Sequence, residues 1–512
     1  MTRWHAMLEY IQFPLKVLFV ATMLLSVGNA IINPNVAYLW EVKNEIVIMI
    51  SEIMRYSGGF LIRIFPLLVF VVVLTRKFED SVPVFIGLLS YIVINLMILF
   101  LNKTDAPSYF YGNMLGMQIS FDSESIFGEV IRIPYNTGIF SLLAAYFITM
   151  YAYRKSRHYT MHGMLSFIDH DAWAMLLSIA ISVVCGIMFA YGWALVILII
   201  NNLHEFLAKD LINPMNLFIY GVTERLSAIF GLQDISREAF WFSELGGSAT
   251  DSFGVLYPGD VNAWYAMQNL QIVTTNAGHL ITPYYVINIF LVPGFLLGYL
   301  SMVNEKKDRK RYLLFFIIAI LLSVISGNAL PMEILMLVLA PMLYLLYLIV
   351  VGFLFAGFQM MGVAVGYWFK GSLMVANPGS MLDLLLYFRN PEMSYAFSMM
   401  AGVGVVILVL FFFATRFYFS HFAIGLFNFN NRREVCKRVI EALGGLNNIR
   451  SVSSTPDKMT VALHHRDKVN FNLLRQEGAY LILEAKEGYL IRLGNLSTII
   501  AKEIKKELKR MS

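Results

Sequence analysis

Glu333 closes the stretch Gly327-Asn328-Ala329-Leu330-Pro331-Met332-Glu333, which sets a turn-forming Gly-Asn pair, a proline and a carboxylate between two apolar runs. A carboxylate at hydrocarbon depth is costly unless it is paired, solvated or used, so Glu333, with Asn328 beside it, is a candidate binding element. The alternative is a turn between two helices whose glutamate lies at the water edge. A second segment, Tyr220-Gly221-Val222-Thr223-Glu224-Arg225-Leu226, carries an acid and a base inside an amphipathic stretch, and Trp241, Tyr257-Pro258-Gly259-Asp260 and Trp264 follow it. Aromatic faces that stack on a sugar ring, together with charged groups that bond its hydroxyls, would make a carbohydrate site. An interfacial aromatic belt has the same composition.

The elements that must position these groups are set by composition. Over 512 residues, 58% are hydrophobic and 14% charged, which is more apolar than a soluble core requires. The expected class is a polytopic α-helical membrane protein of about ten transmembrane helices with re-entrant hairpins. Phe13 to Ile32, Ser57 to Leu74, Val82 to Leu101 and Asn136 to Tyr153 are each expected to cross the bilayer. The first of these follows Arg3 and His5 and lacks a small-residue cleavage site, so it is expected to stay as an anchor. Ala172 to Leu203 is long enough to tilt or bend, and Leu280 to Val303 spans with Pro283 and Pro293 as kinks. The run from Tyr312 to Ser326 is short for a crossing, Ile334 to Tyr367 contains Pro341, and Phe397 to Phe419 is the last span. A short helix, a Gly-Asn-x-x-Pro break and a further apolar run describe a re-entrant hairpin, the strongest sequence pointer to a transporter's binding site. Arg76-Lys77, Arg154 to Arg157 and Lys306 to Arg311 place the N-terminus and these loops in the cytoplasm by the positive-inside rule.

After Asn428 the composition turns polar and basic, so the expected division is a membrane domain over 1–427 and a small cytoplasmic α+β domain over 428–512. Arg433 to Leu443 reads as a helix ending at Gly444-Gly445, Met459 to Leu463 as a strand and Lys468 to Glu477 as a second helix. Tyr480 to Leu483 and Tyr489 to Leu493 read as a hairpin. Leu496, Ile500, Ile504 and Leu508 form one stripe on a closing helix. Cys185 in an apolar helix and Cys436 on a polar one exclude a disulfide framework or a cysteine metal site. No zinc spacing, phosphate-binding loop or nucleic-acid motif is present, so no metal, cofactor or nucleic acid is expected.

Leu443-Gly444-Gly445-Leu446-Asn447-Asn448-Ile449 and the elements after it resemble the IIB domain of the glucose and maltose branch of the bacterial phosphoenolpyruvate-dependent sugar phosphotransferase system. The membrane part resembles the matching IIC permease. Tyr220-Gly221-x-x-x-Arg225-Leu226-x-x-x-Phe230-Gly231-Leu232 is similar to the segment before that family's histidine pair, and the stretch ending at Glu333 is similar to its Gly-Ile-Thr-Glu-Pro-Ile-Glu hairpin. The resemblance implies a multi-pass protein of the bacterial inner membrane that binds a sugar and forms a homodimer. Arg225, Gln233, Asp234, Asn328 and Glu333 would be its substrate-binding residues, and separate IIA or IIB proteins would be possible partners.

The departures from the family pattern concern phosphorylation. Gln233-Asp234 stands in place of the histidine pair, Leu330 in place of the hairpin's first glutamate, and Thr455 at the phosphocysteine position, with Asp457 in the phosphate cradle. Threonine forms an alkoxide far less readily than cysteine forms a thiolate, and Asp457 repels an anion. Three readings follow: a permease whose phosphate comes from another IIB protein, a sugar transporter without phosphorylation, and a sugar-responsive receptor or scaffold.

Overall fold

Prolines and capping asparagines decide where the apolar stretches break. The computed structural model describes residues 2–33, 42–78, 80–102, 106–112, 121–122, 131–157, 169–270, 277–302, 306–368, 373–421, 432–454, 458–477, 479, 481–485, 487–493 and 496–511. Its contacts divide the chain into two compact units, Gln12–Ala423 and Met1–Ile11 with Ile424–Ser512.

In chain order the first helices are α1 (Thr2–Ile32), α2 (Glu45–Arg63), α3 (Phe65–Phe78), α4 (Val82–Leu101), α5 (Phe140–Ser156), α6 (His170–Ala208), α7 (Pro214–Ile229), α8 (Gln233–Phe242) and α9 (Asp260–Leu270). Two-stranded ribbons pair β1 (Phe121–Asp122) with β2 (Ile131–Arg132), and β3 (Ser248–Thr250) with β4 (Leu256–Pro258). Then come α10 (Thr282–Val286), a π-bulge at Ile287–Leu291, α11 (Val292–Ser301), α12 (Lys306–Ser326), α13 (Leu330–Leu339), α14 (Pro341–Met360), α15 (Met381–Leu385) and α16 (Ser394–His421).

Among the described residues, six helical segments are long and apolar enough to cross a membrane. They are Phe13–Ile32, Val82–Leu101, His170–Ala208, Thr282–Ser301, Pro341–Met360 and Pro391–Ser420; the bent pair α2 and α3 is either a broken seventh span or a re-entrant loop. Sequence reading expected about ten, and two of the stretches it took as continuous are divided by the backbone. Ser57 to Leu74 is two helices meeting at 52°. Pro66 has no N–H to return to Ile62, so the helix stops at Ile64 and restarts. Ile334 to Tyr367 is likewise divided, because Pro341 forces Ala340 out of helical geometry to φ −144° and ψ 66°.

Close helix packing uses small residues. On α6 the buried stripe includes Ser178, Ser182, Gly186 and Ala190, while Met188, Leu195 and Ile199 face outward. A Cβ on Gly186 would lie 2.5 Å from Met97 Cβ on α4. The pairing of α7 with α14 is reciprocal: Gly221 receives the ring of Phe355, and Gly352 receives the ring of Phe218. That packing turns Arg225 toward α14.

The C-terminal unit contains α17 (Arg432–Ala442), β5 (Ile449–Ser454), β6 (Lys458–Leu463), α18 (Phe471–Gln476), β7 (Leu481–Ala485), β8 (Gly488–Arg492) and α19 (Leu496–Met511). Its antiparallel sheet has the order β5-β6-β8-β7. Cys436, Val439, Met459, Val461, Ile491, Ile500 and Ile504 share the core between sheet and helices, with Leu508 packed against it. The expected hairpin and amphipathic closing helix are present. The second helix starts later than expected because Asn470 caps it, its Oδ1 accepting from the Leu473 N–H at 3.1 Å. The strand Ile449–Ser454 had no assigned range in the sequence.

Candidate functional site

The site is built where three breaks in the backbone meet. At the first, α12 ends and Gly327 takes φ +66°, a conformation that favours glycine; a Cβ there would also press on the carbonyls of Asn377 and Pro378 at 2.8 Å. Asn328 then turns the chain, its Oδ1 accepting from the Leu330 N–H at 3.1 Å, and α13 begins with Pro331 in its first turn. The second break lies at Asn377 to Ser380, where the Ser380 hydroxyl and Asp383 carboxylate form a reciprocal cap on α15. The third is the π-bulge that holds Asn288. Its Nδ2 donates to the carbonyls of Gly327 at 3.0 Å, Pro378 at 3.1 Å and Gly379 at 3.4 Å, and its own carbonyl accepts from Ser323 Oγ at 2.9 Å. One amide thus supplies hydrogen bonds to carbonyls that broken helices leave without partners. Sequence reading missed Asn288, although a lone amide between Pro283 and Pro293 in an apolar segment was a usable signal.

A charge network lies beside this junction. Arg225 Nη1 donates to Glu333 Oε1 at 2.9 Å, and Arg225 Nε lies 3.2 Å from Glu224 Oε2. Arg237 Nε donates to Glu224 Oε1 at 2.8 Å. Glu333 Oε1 also accepts from the Tyr347 hydroxyl at 2.5 Å, and the Tyr344 hydroxyl reaches the Arg225 carbonyl at 3.3 Å. The Tyr284 ring carries the Arg225 guanidinium 4.2 Å from its centroid, and Arg237 lies over Trp241 at 5.0 Å. Glu224, Arg225, Arg237 and Glu333 are all buried. Two cations balance two carboxylates, which is the condition for holding charge away from water. Tyr284 and Tyr347 belong to helices of membrane-crossing length, Thr282–Ser301 and Pro341–Met360. The chain is a multi-pass helical membrane protein.

Of the residues expected to bind substrate, Arg225, Gln233, Asp234 and Asn328 border one small cavity of about 40 Å³, as does Leu330. That space holds a water or two rather than a sugar. Glu333 faces Arg225 and Tyr347 and does not line it. Asp234 Oδ2 is 2.6 Å from Arg63 Nη2, a partner the sequence did not indicate. Trp241 and Trp264 are fully buried, donating through Nε1 to Tyr220 Oη at 3.2 Å and Tyr387 Oη at 2.8 Å. Neither borders that cavity, and Trp264 lines a separate one of about 480 Å³ with His279, Gln359 and Glu392. Thr455 and Asp457 lie outside the described residues. Among the described residues no group of three His, Cys, Asp or Glu side chains could hold a metal ion.

No protein-family model matches the chain. Among solved structures, the chain is similar to the transporter ChbC, the IIC component from the N,N'-diacetylchitobiose-specific phosphotransferase system. The match covers 82% of this chain and 95% of that one, at 12% identity and a TM-score of 0.29.

Proposed function

We propose that this protein is a membrane sugar transporter related to phosphotransferase-type IIC permeases, whose own C-terminal domain no longer transfers phosphate. Residues 1–427 form its permease and 428–512 its cytoplasmic IIB-like domain, with the N-terminus also cytoplasmic, in a bacterial inner membrane. The observation that supports the reading is the neutralised network of Glu224, Arg225, Arg237 and Glu333, buried beside three backbone breaks held by Asn288. Irregular backbone among apolar helices is tolerated where it is buried in protein or lines a cavity, and it is the arrangement that transporters use to bind and move a polar solute. The C-terminal reading rests on the resemblance to the IIB family, which implies that Thr455 stands at the phosphocysteine position.

Counterflow tests transport directly. Liposomes bearing the full chain and preloaded with glucose, maltose, cellobiose or sorbitol should accumulate the labelled sugar with no phosphodonor present. Binding by thermal shift without counterflow would turn the reading to a sugar-responsive receptor, and absence of both overturns it. Incubation with phosphoenolpyruvate, the general phosphotransfer proteins and labelled phosphate should leave the chain unlabelled. Retained label would contradict the loss of phosphotransfer.

A further inference from the structure

The chain's positive charge is unevenly placed. Residues 432–511, from α17 to the end of α19, carry 16 Lys and Arg against 9 Asp and Glu, whereas the rest of the chain carries 23 against 25. The net charge of +5 therefore comes entirely from this segment. Folding concentrates it further. On α19, Ile500, Ala501 and Ile504 turn into the core, while Lys502, Lys505 and Lys506 are all exposed on the opposite side. At 3.6 residues per turn these three cations fall within about 100° of one another. Glu503 and Glu507 lie half-buried on the flank nearer Cys436, whose thiol they push up. Arg438 pairs with Glu477 and Arg450 with Glu487, and among the described residues neither these pairs nor any other takes up the three lysines. Lys502 and Lys506 stand four residues apart and repel each other, a cost that an anionic surface removes.

We propose that the lysine face of α19 docks on the anionic headgroups of the bilayer that holds the helical unit. Such docking is independent of the solute the helical unit carries. Two observations favour lipid over other anions. The first is reach: α16 ends at His421 and α17 begins at Arg432. The residues between them, 422–431, can extend to no more than about 40 Å. A tether of that length holds the cations at high effective concentration beside a membrane surface. The second is geometry. The lysines are spread over about 6 Å of helix and point away from the core, so they suit a flat array of charges rather than one enclosed anion. Each Lys close to an anionic leaflet contributes about a fivefold preference for the surface, and three together give roughly a hundredfold. Salt shortens the range of that attraction to a few ångströms and weakens it.

The test uses the unmodified full chain in nanodiscs, made either of phosphatidylcholine alone or with about one-third phosphatidylglycerol. A neutral amine-acetylating reagent is added, and the rate at each lysine is followed by mass spectrometry. Lys502, Lys505 and Lys506 should react at least about fivefold more slowly in the anionic discs, while Lys468, exposed elsewhere on the same unit, keeps its rate. Sodium chloride at about 0.5 M should restore the three rates. Lys505→Gln/Lys506→Gln should remove the protection at Lys502, because one cation holds the surface weakly. The salt titration needs no substitution, so it decides the matter if the double variant misfolds. Inorganic phosphate added to neutral discs should protect none of the lysines. Equal rates in the two kinds of disc would overturn the proposal, whatever protein or nucleic acid the face then served. Protection by free phosphate alone would also overturn it, and so would equal protection of Lys468, which would reflect surface charge acting on every amine. Sugar counterflow does not enter any of these outcomes, so the transport reading stands or falls separately.

Discussion

Arg225 and Glu333 are 108 residues apart in the chain, and their side chains meet at 2.9 Å. Each arrives on a helix whose start is fixed locally, α7 by the Asn213-Pro214 cap and α13 by the Asn328 turn. The contact itself is made by tertiary packing of α7 and α13 against α14.

Removing one charge from this pair leaves the other without its partner in a buried setting. Glu333→Gln leaves Arg225 with excess positive charge in a buried setting and should destabilise the protein by about 3–5 kcal/mol. Arg225→Met alone leaves Glu224 still held by Arg237 but strips Glu333 of its cation. The double variant Arg225→Met/Glu333→Gln should be less damaging than the sum of the two. Melting temperatures in detergent, arranged as a double-mutant cycle, read the coupling; additive effects would show that the pair does not act as a unit.

Asn288→Ala should loosen two breaks together. It removes the donor shared by the Gly327, Pro378 and Gly379 carbonyls, and each buried acceptor left unsatisfied costs about 1–3 kcal/mol. Hydrogen exchange should rise both in the 327–332 segment and in the 377–383 segment. A rise confined to one segment would mean that the amide does not couple them.

Gly221→Ala should overpack the seam between α7 and α14, since its Cβ would lie 2.4 Å from the Phe355 ring. The expected loss is about 1–3 kcal/mol. Gly221→Ala/Phe355→Leu should recover part of it, measured again by thermal unfolding, because the shorter side chain vacates the space the new methyl occupies.

In the C-terminal unit Cys436 is buried, and burial pushes its thiol up to about 11 from an ordinary value of 9, with Glu503 and Glu507 adding to the effect. Native protein should therefore resist alkylation at Cys436 at pH 8 and react there once unfolded. The unfolded chain gives up this proton first, so the thiol's contribution to stability is intact below pH 9 and is lost as pH rises toward 11. Cys436→Ala should flatten that part of the pH–stability profile. An unchanged profile would place the alkaline sensitivity elsewhere.

Much of the architecture is legible in order. The membrane class follows from composition, because only a lipid environment accommodates this much apolar surface on helices of spanning length. The amphipathic stripe of α19 and the β7–β8 hairpin follow from periodicity, which local geometry imposes on any chain that packs one face. The breaks before Pro66 and Pro341 were also open to reading, since a proline's missing N–H acts within one turn, although the apolar runs masked them.

By itself the sequence determined the class of protein and the break from Gly327 to Pro331 with Asn328 and Glu333 beside it. The tertiary structure decided what those residues do. It ties Glu333 to Arg225 and Tyr347, gives Asn288 the task of holding three segments, and sets Asp234 against Arg63 at the boundary of a cavity whose walls come from segments far from the hairpin. A buried charge takes whichever partner packing brings within about 3 Å, and no local pattern encodes which partner that will be.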